Sequence, residues 1–166
     1  LLWMNGETKT MYEYRATVLK VVDGDTVDVD IDLGFGIMLK DERVRIMGID
    51  TPESRTRDKV EDLFGEAAKA RVKELLSDRV VLKTEVNKNG EDMKGKFGRI
   101  LGDFEVYDSN KDCWRKLTAI LIEEGHAVPY HGQSKDDVQA AHLANREKLL
   151  EAGVVSREEY NKLVDK

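Results

Sequence analysis

Two short stretches place carboxylates at the borders of apolar segments, where they could do chemistry. The stretch GIDTPESR puts Asp50 and Glu53 three residues apart, directly after an apolar run, and the stretch DGD puts Asp23 and Asp25 just before an alternating segment. A turn alone would explain either stretch, since Asp, Gly and Pro are common turn residues. Carboxylates in such places can also hold a hard metal ion or take a proton from water.

Asp25 differs from the aspartates that follow it in its position along the strand pattern. It has the same parity as the apolar residues at 27, 29, 31 and 33, whereas Asp28, Asp30 and Asp32 have the opposite parity. We interpret these three as a solvated strand face. A carboxylate at the edge of a core needs a cation or hydrogen bonds to offset its lost hydration. Together with Asp50, Asp25 is therefore a candidate ligand of a shared hard cation, and a simple turn at DGD is the alternative.

Two arginines extend this set of residues. The stretch VRIMGIDTPE puts Arg45 on the segment that leads into Asp50, and KFGRI puts Arg99 directly after a glycine. Phosphodiester hydrolysis uses such a set, because a cation neutralises phosphate charge, a carboxylate serves as general base and guanidinium groups match phosphoryl oxygens. Structural alternatives are an ion pair of Arg45 with Asp50 or Glu53, a surface role for Arg99, and a loop-capping role for Glu53.

The elements that must position these residues follow from the hydrophobic pattern. Strands are expected at 12–22, 27–33, 40–48, 79–86 and 97–107, and helices at 64–77, around 117–121 before Gly125, and at 136–152. The first helix is expected to become regular only after Gly65. Five strands with a helix between the third and fourth have the order of an OB barrel, so the predicted fold is α+β, mainly β, with three helices.

At this point VVDGDTV, VRIMGIDTPE and KFGRI, in this order and at these spacings, resemble the staphylococcal nuclease (thermonuclease) family over about residues 12–152. The resemblance implies an OB fold and Ca²⁺-dependent cleavage of DNA or RNA that leaves 3′-phosphate and 5′-hydroxyl ends. It leaves Mg²⁺ or Mn²⁺ open as substitutes. An inactive OB module that binds nucleic acid or peptide is the alternative, as is a phosphodiesterase for small substrates. A decayed site should have lost ligands or arginines, and here all of them are present.

The resemblance also implies a role for each matching residue. Metal ligands would be the carboxylates of Asp25 and Asp50 and the backbone carbonyl of Thr51, with Asp23 as an acidic neighbour in the second shell. Glu53 would be the general base, and Arg45 and Arg99 would bind the scissile phosphate. Lys96 and Tyr130 would contact the nucleic acid. The histidines His126, His131 and His142 are assigned to surface or packing positions, because a site of hard oxygens needs none of them.

Composition sets broader limits. The 166 residues carry a net charge of −6, which argues mildly against a protein that coats nucleic acid, although it says nothing about a local cleft. A single cysteine permits no internal disulfide, and neither a signal peptide nor a transmembrane run is recognisable, so we expect a cytoplasmic monomer without a membrane partner.

The expected parts of the chain are a tail at 1–11, a nuclease-like domain at 12–153 and an extension at 154–166. The stretch 27–42 is longer than in compact members of the family, so the hairpin there should differ.

Overall fold

The structure is a computed structural model that describes residues 12–77, 79–85 and 98–165. Within these ranges the chain forms eight strands and four helices. The strands are β1 (Glu13–Asp23), β2 (Thr26–Gly34), β3 (Ile37–Ile46), β4 (Ile49–Asp50), β5 (Arg79–Thr84), β6 (Ile100–Asp108), β7 (Cys113–Lys116) and β8 (Val128–Pro129). The helices are α1 (Lys59–Leu75), α2 (Leu117–Glu124), α3 (Lys135–Glu151) and α4 (Arg157–Val164).

Five strands close into a barrel, as the sequence predicts. The strands β3, β2, β1, β5 and β6 are neighbours in that order, and a parallel pairing of β3 with β6 completes the ring. The fold is thus an OB-type barrel of class α+β, with β7 added as a hairpin on β6. A separate pair, β4 with β8, lies beside it. None of the helices in the described ranges is both long and apolar enough to span a bilayer.

Alternation along the strands fills the barrel with apolar side chains. Val27, Val29 and Ile31 of β2 are almost fully buried, and they join a large core to which β1, β3, β5, β6 and α2 also contribute. A second, smaller cluster lies outside the barrel between α1, α3 and the C-terminal segment, where Phe64 packs edge-to-face on Tyr160. The segment 154–165 therefore packs against the helices of the domain.

The acidic side chains of β2 form more hydrogen bonds and ion pairs than a solvated strand face, as predicted from the sequence, would form. Asp28 is only 9% exposed, and its carboxylate accepts hydrogen bonds from Nε and Nη2 of Arg43 at 2.8 and 3.0 Å. Asp30 accepts the backbone N–H of Asp41 at 2.8 Å and lies 3.3 Å from Nζ of Lys40. The neighbouring strand β3 supplies these cations, which alternation within β2 alone cannot reveal.

The first helix begins earlier than predicted. Asp58 caps α1, because its side chain accepts the backbone N–H groups of Val60 and Glu61 at 3.0 and 3.1 Å. Gly65 therefore lies inside the helix, although glycine is unfavourable there. The hydrophobic pattern did not predict β4, β7, β8 or α4, all of which are short.

Candidate active site

The two acidic stretches meet at one end of the barrel. The backbone N–H of Ile46 donates to the carbonyl oxygen of Asp25 at 2.8 Å, which ties the start of β2 to the end of β3. The chain then passes through Gly48, which has a φ of 83°, and enters β4 with Asp50. The DGD turn and the DTPE segment therefore lie at the same edge, as the sequence predicts.

Two glycines let α1 pack directly on both stretches. A Cβ atom added to Gly24 would come within 2.9 Å of Cβ of Ala68 and 3.1 Å of the Thr51 side chain. A Cβ atom added to Gly65 would overlap the backbone carbonyl group of Glu53. Real Cβ atoms do not tolerate such contacts, so the helix could not approach the acidic segments this closely with alanine at either position. This contact explains the glycine inside α1.

The first turn of α1 also fixes the backbone of the loop that carries Glu53. Glu61 accepts the backbone N–H of Glu53 at 3.4 Å, and Asp62 accepts the backbone N–H of Arg55 at 2.6 Å. Arg55 has a φ of 63°, which is uncommon for a residue with a side chain, and the hydrogen bond from its N–H group helps to hold it there.

Glu53 faces several other carboxylates. Burial raises the pKa of Glu53 above its usual value, and the negative charges of Asp23, Asp25, Glu61 and Asp50 raise it further. Three of these four carboxylates belong to the predicted site. The structure thus brings the acidic residues of DGD and DTPE close enough for their charges to act on one glutamate.

Arg45 lies between the two acidic stretches. Its acidic partner differs from Asp50 and Glu53, which the structural alternative in the sequence analysis had named. Its Nη2 is 3.5 Å from Oδ2 of Asp25, and it also donates to the backbone carbonyl of Ile49 at 2.9 Å. The structural ion pair is therefore with Asp25, and neither Glu53 nor Asp50 is its recorded partner. Its Nη1 also donates to the backbone carbonyl of Ile46 at 2.5 Å. A guanidinium group has five N–H donors, so these three contacts still leave donors for a phosphate.

His142 is a residue of the site that sequence analysis missed. It lies on α3, is 8% exposed, and its Nε2 is 2.7 Å from Oδ2 of Asp50. The tautomer with a proton on Nε2 donates to this carboxylate. The assignment of His142 to packing is incomplete, because its ring also holds the side chain of a candidate metal ligand. Its position on the buried face of α3, seven residues before the buried Leu149, is the signal that could have identified it, since a buried polar group needs a partner.

Asp23 and Arg99 border a groove next to the carboxylates. The hydroxyl group of Ser54 donates a short hydrogen bond to Oδ1 of Asp23, which links the two acidic loops. Arg99 follows Gly98, which has a φ of 71°, and lines the groove together with Asp23, Arg43 and Arg55. The guanidinium group of Arg55 is a further cation here that the sequence analysis did not consider.

The two predicted nucleic-acid contacts have different outcomes. Tyr130 follows β8, its backbone N–H donates to the carbonyl of Gly48 at 2.9 Å, and its side chain is exposed. It therefore lies at the same end of the barrel as Asp50. Lys96 lies outside the described residues, so its role stays a prediction.

The oxygen ligands fit a hard cation by their chemistry. Asp25 and Asp50 supply carboxylates, and Thr51 supplies a backbone carbonyl, which are groups that Ca²⁺ and Mg²⁺ prefer. The hydroxyl Oγ1 of Thr51 is buried and has no hydrogen-bond partner, so this segment contains a polar atom that nothing in the described structure satisfies. Across 12–77, 79–85 and 98–165, no three His, Cys, Asp or Glu side chains form a ready-made metal cluster. An ion would thus depend on the backbone carbonyl and on water as well as on carboxylates.

This chain matches one family profile and two curated proteins. The profile of the staphylococcal nuclease homologue family matches residues 43–152, which is more than half of the chain. The protein ParB of Escherichia coli is 31% identical over 129 residues, covering 75% of this chain and 63% of that protein. A micrococcal nuclease of Shigella flexneri is 29% identical over 126 residues, covering 74% of this chain and 62% of that protein. The chain spans less than two thirds of the length of these curated relatives. On the extent of the family match, this chain belongs to the staphylococcal nuclease homologue family.

Proposed function

We propose that this chain is a metal-dependent nuclease that hydrolyses phosphodiester bonds in DNA or RNA and leaves 3′-phosphate and 5′-hydroxyl ends. The observation that carries the proposal is the convergence of carboxylates from two distant stretches around Glu53, with Arg45 at 3.5 Å from Asp25. Acidic oxygens gathered against their mutual repulsion, beside guanidinium groups, are what the hydrolysis of a phosphodiester bond requires.

Glu53 acts as the general base in this proposal. It takes a proton from the attacking water as the water oxygen forms a bond to phosphorus, and the bond between phosphorus and the 5′ oxygen breaks. The leaving 5′ oxygen takes a proton from solvent. A base works best when its pKa is near the operating pH, so the raised pKa of Glu53 favours this role.

Arg45 and Arg99 bind the phosphate. Arg45 is already held by Asp25 and by the Ile49 carbonyl, so its guanidinium group is oriented before the substrate arrives. Arg99 approaches from the groove on the side of Asp23. Both guanidinium groups stabilise the charge that develops on the phosphoryl oxygens, and that of Arg45 needs no rearrangement during the reaction because it is already held.

The carboxylates of Asp25 and Asp50 and the carbonyl of Thr51 would hold Ca²⁺, with Mg²⁺ or Mn²⁺ as possible substitutes. When bound, the ion would neutralise phosphate charge and reduce the repulsion among the carboxylates. Asp23, bonded to Ser54, would fix the adjacent loop without contacting the ion.

The test is an activity panel with single- and double-stranded DNA and RNA, each with Ca²⁺, with Mg²⁺ and with excess chelator. We expect cleavage with Ca²⁺ and none with chelator. Glu53→Gln should lower turnover at least ~10²-fold, the lower range for a general base. Full activity in chelator would remove the metal from the proposal. Binding without cleavage under every condition would support an inactive binding module instead.

A further inference from the structure

A second concave surface lies on the outer face of the barrel, away from the carboxylates. We call it the outer groove and define it by six of its lining residues: Arg15, Asp32, Met38, Arg79, Val81 and Trp114. It crosses β1, β2, β3, β5 and β7. Arg15 is eight positions before Asp23 on β1, so the groove is roughly 25 Å from the DGD turn along an extended strand.

The charge of the outer groove favours an anion. Arg15 and Arg79 are exposed, and neither forms an ion pair with any part of the chain that the structure describes. The one carboxylate that lines the groove, Asp32, is the direct cross-strand partner of Arg15 and accepts the backbone N–H of Gly34 at 2.8 Å. Two guanidinium groups that form no ion pair within the described residues are thus set against one carboxylate, so this groove has a net positive charge on a protein that is acidic overall.

An aromatic pair borders the same groove. Trp114 is 62% exposed and Tyr107 is 48% exposed, and their rings meet edge-to-face with centroids 5.7 Å apart. The two residues are direct partners in the pairing of β6 with β7. The contact holds the Trp114 ring on the rigid sheet while most of it faces water. Such a ring is a platform on which a planar group can stack.

The strand register spaces these groups as an extended nucleic-acid strand would need. Arg15 pairs with Val81 and Thr17 pairs with Arg79, so the two arginines are diagonal neighbours on β1 and β5, with their Cα atoms roughly 7–8 Å apart. This spacing is comparable to that of successive phosphates in an extended single strand. Guanidinium groups beside an exposed aromatic ring are the combination that binds single-stranded nucleic acid without sequence preference.

We propose that the outer groove is a second binding site for single-stranded DNA or RNA, with Arg15 and Arg79 on the phosphates and Trp114 stacked on a base. The proposal rests on the proposed nuclease function for its choice of ligand. Its consequence is that long substrates bind at two places, whereas a small phosphodiester binds only at the candidate active site. The outer groove should therefore lower KM for polymers and leave the turnover of small substrates unchanged.

The test measures binding separately from catalysis. A labelled oligothymidylate or oligouridylate of about 15 nucleotides, near the upper limit for one OB fold, is titrated in excess chelator at several salt concentrations. Arg15→Ala/Arg79→Ala should reduce the slope of log affinity against log salt by about 1.4, since each phosphate contact on a single strand contributes about 0.7. The matched control, Arg157→Ala/Lys162→Ala, removes the same charge from α4 and should leave the slope near that of the wild type.

The aromatic contribution is tested in the same assay. Trp114→Ala should weaken binding about 5- to 150-fold, the range for loss of one stacked base, and Trp114→Phe should restore most of it. In a Trp3→Phe background, the oligonucleotide should quench Trp114 fluorescence in a saturable way, which tests the site without altering it. Unchanged affinity in both groove variants, or no quenching, would overturn the proposal. Equal binding of polyglutamate or of duplex DNA with the same dependence on Trp114 would also overturn it.

The two proposals can fail separately. If the wild-type protein cleaves nothing but binds oligonucleotide through the outer groove, the nuclease function fails and the groove stands. If the groove variants cleave both polymers and a nitrophenyl ester of thymidine phosphate with wild-type KM, the nuclease function stands and the groove fails.

Discussion

Replacing His142 tests whether a residue far along the chain sets the metal affinity of the site. In the structure its Nε2 lies 2.7 Å from Oδ2 of Asp50, and the ring is buried between α3 and the DTPE segment. The hydrogen bond uses one oxygen of the carboxylate and fixes the orientation of the other. We therefore expect His142→Ala to free the Asp50 side chain and to weaken the binding of Ca²⁺.

This contact should affect both the stability of the protein and its affinity for the metal ion, and each effect has an expected magnitude. A hydrogen bond to a charged group contributes about 1.5–3 kcal/mol to stability, which corresponds to a loss of roughly 3–12 °C in Tm for a domain of this size. Removing a residue that orients a metal ligand typically costs about 10- to 100-fold in metal affinity. If His142 served only in packing, His142→Ala would lower Tm without changing the affinity for Ca²⁺.

The assay is calorimetric titration of Ca²⁺ into wild type, His142→Ala and His142→Gln, with thermal unfolding of each protein with and without metal. His142→Gln keeps an N–H donor at a similar reach and should recover most of the affinity, while the exposed His131→Ala serves as the control for loss of a histidine. At saturating Ca²⁺, His142→Ala should regain much of its turnover, because a positioning defect is overcome by metal. A lowered Tm with wild-type Ca²⁺ affinity would refute this reasoning.

Three further outcomes follow from the geometry of the site. In metal-free protein, Glu53→Gln should raise Tm near pH 7, because the raised pKa of Glu53 means that its ionised form is disfavoured in the folded state. This gain should shrink as pH falls through the raised pKa of Glu53 and be absent below the ordinary glutamate pKa, where the side chain is protonated in both the folded and the unfolded state; a gain independent of pH in thermal melts would contradict it. Gly65→Ala should cost about 1–3 kcal/mol of unfolding free energy by chemical denaturation and lower turnover, because the new Cβ overlaps the carbonyl of Glu53. The exposed Glu66→Ala in the same helix is its control, and equal stability of the two variants would argue against the close contact. Arg99→Ala should lower turnover at least ~10²-fold in single-turnover kinetics, whereas the surface control Arg157→Ala should not; equal rates would remove Arg99 from the mechanism.

Much of the barrel could be predicted from the sequence, because alternation along a strand is a local signal. The period-two pattern from Val27 to Ile31 fixed both the strand and its buried face, and Gly125 marked the end of α2 with a φ of 87°. The acidic stretches could also be placed, since each follows or precedes such a strand. The predicted start of α1 was wrong because glycine has a poor helix propensity. Gly65 lies inside the helix because the helix contacts the backbone of Glu53 there, and only the folded chain makes this contact.

The contacts that were missed are all between distant segments. His142 and Asp50 are 92 residues apart, and nothing in the local pattern around either residue indicates the other. The structural alternative to phosphate binding by Arg45 was an ion pair with Asp50 or Glu53, its neighbours in sequence, yet the pairing of β2 with β3 places Arg45 opposite Thr26 and so beside Asp25. Sequence proximity suggested the wrong carboxylate, and strand register selected the right one.

These contacts also explain how like charges can be held together. Four carboxylates repel one another here: those of Asp23, Asp25, Asp50 and Glu53. The free energy that holds them together comes from the packing of the barrel and from the close approach of α1 at Gly24. Arg45 and His142 each offset one carboxylate, Asp25 and Asp50 respectively. Neutralising Glu53, whose pKa is raised, should therefore stabilise the metal-free fold, whereas removing Arg45 or His142 should destabilise it. Opposite effects of these two classes of substitution on the free energy of unfolding would show that the carboxylates repel one another in the folded protein. A site held together by internal ion pairs would lose stability in both cases.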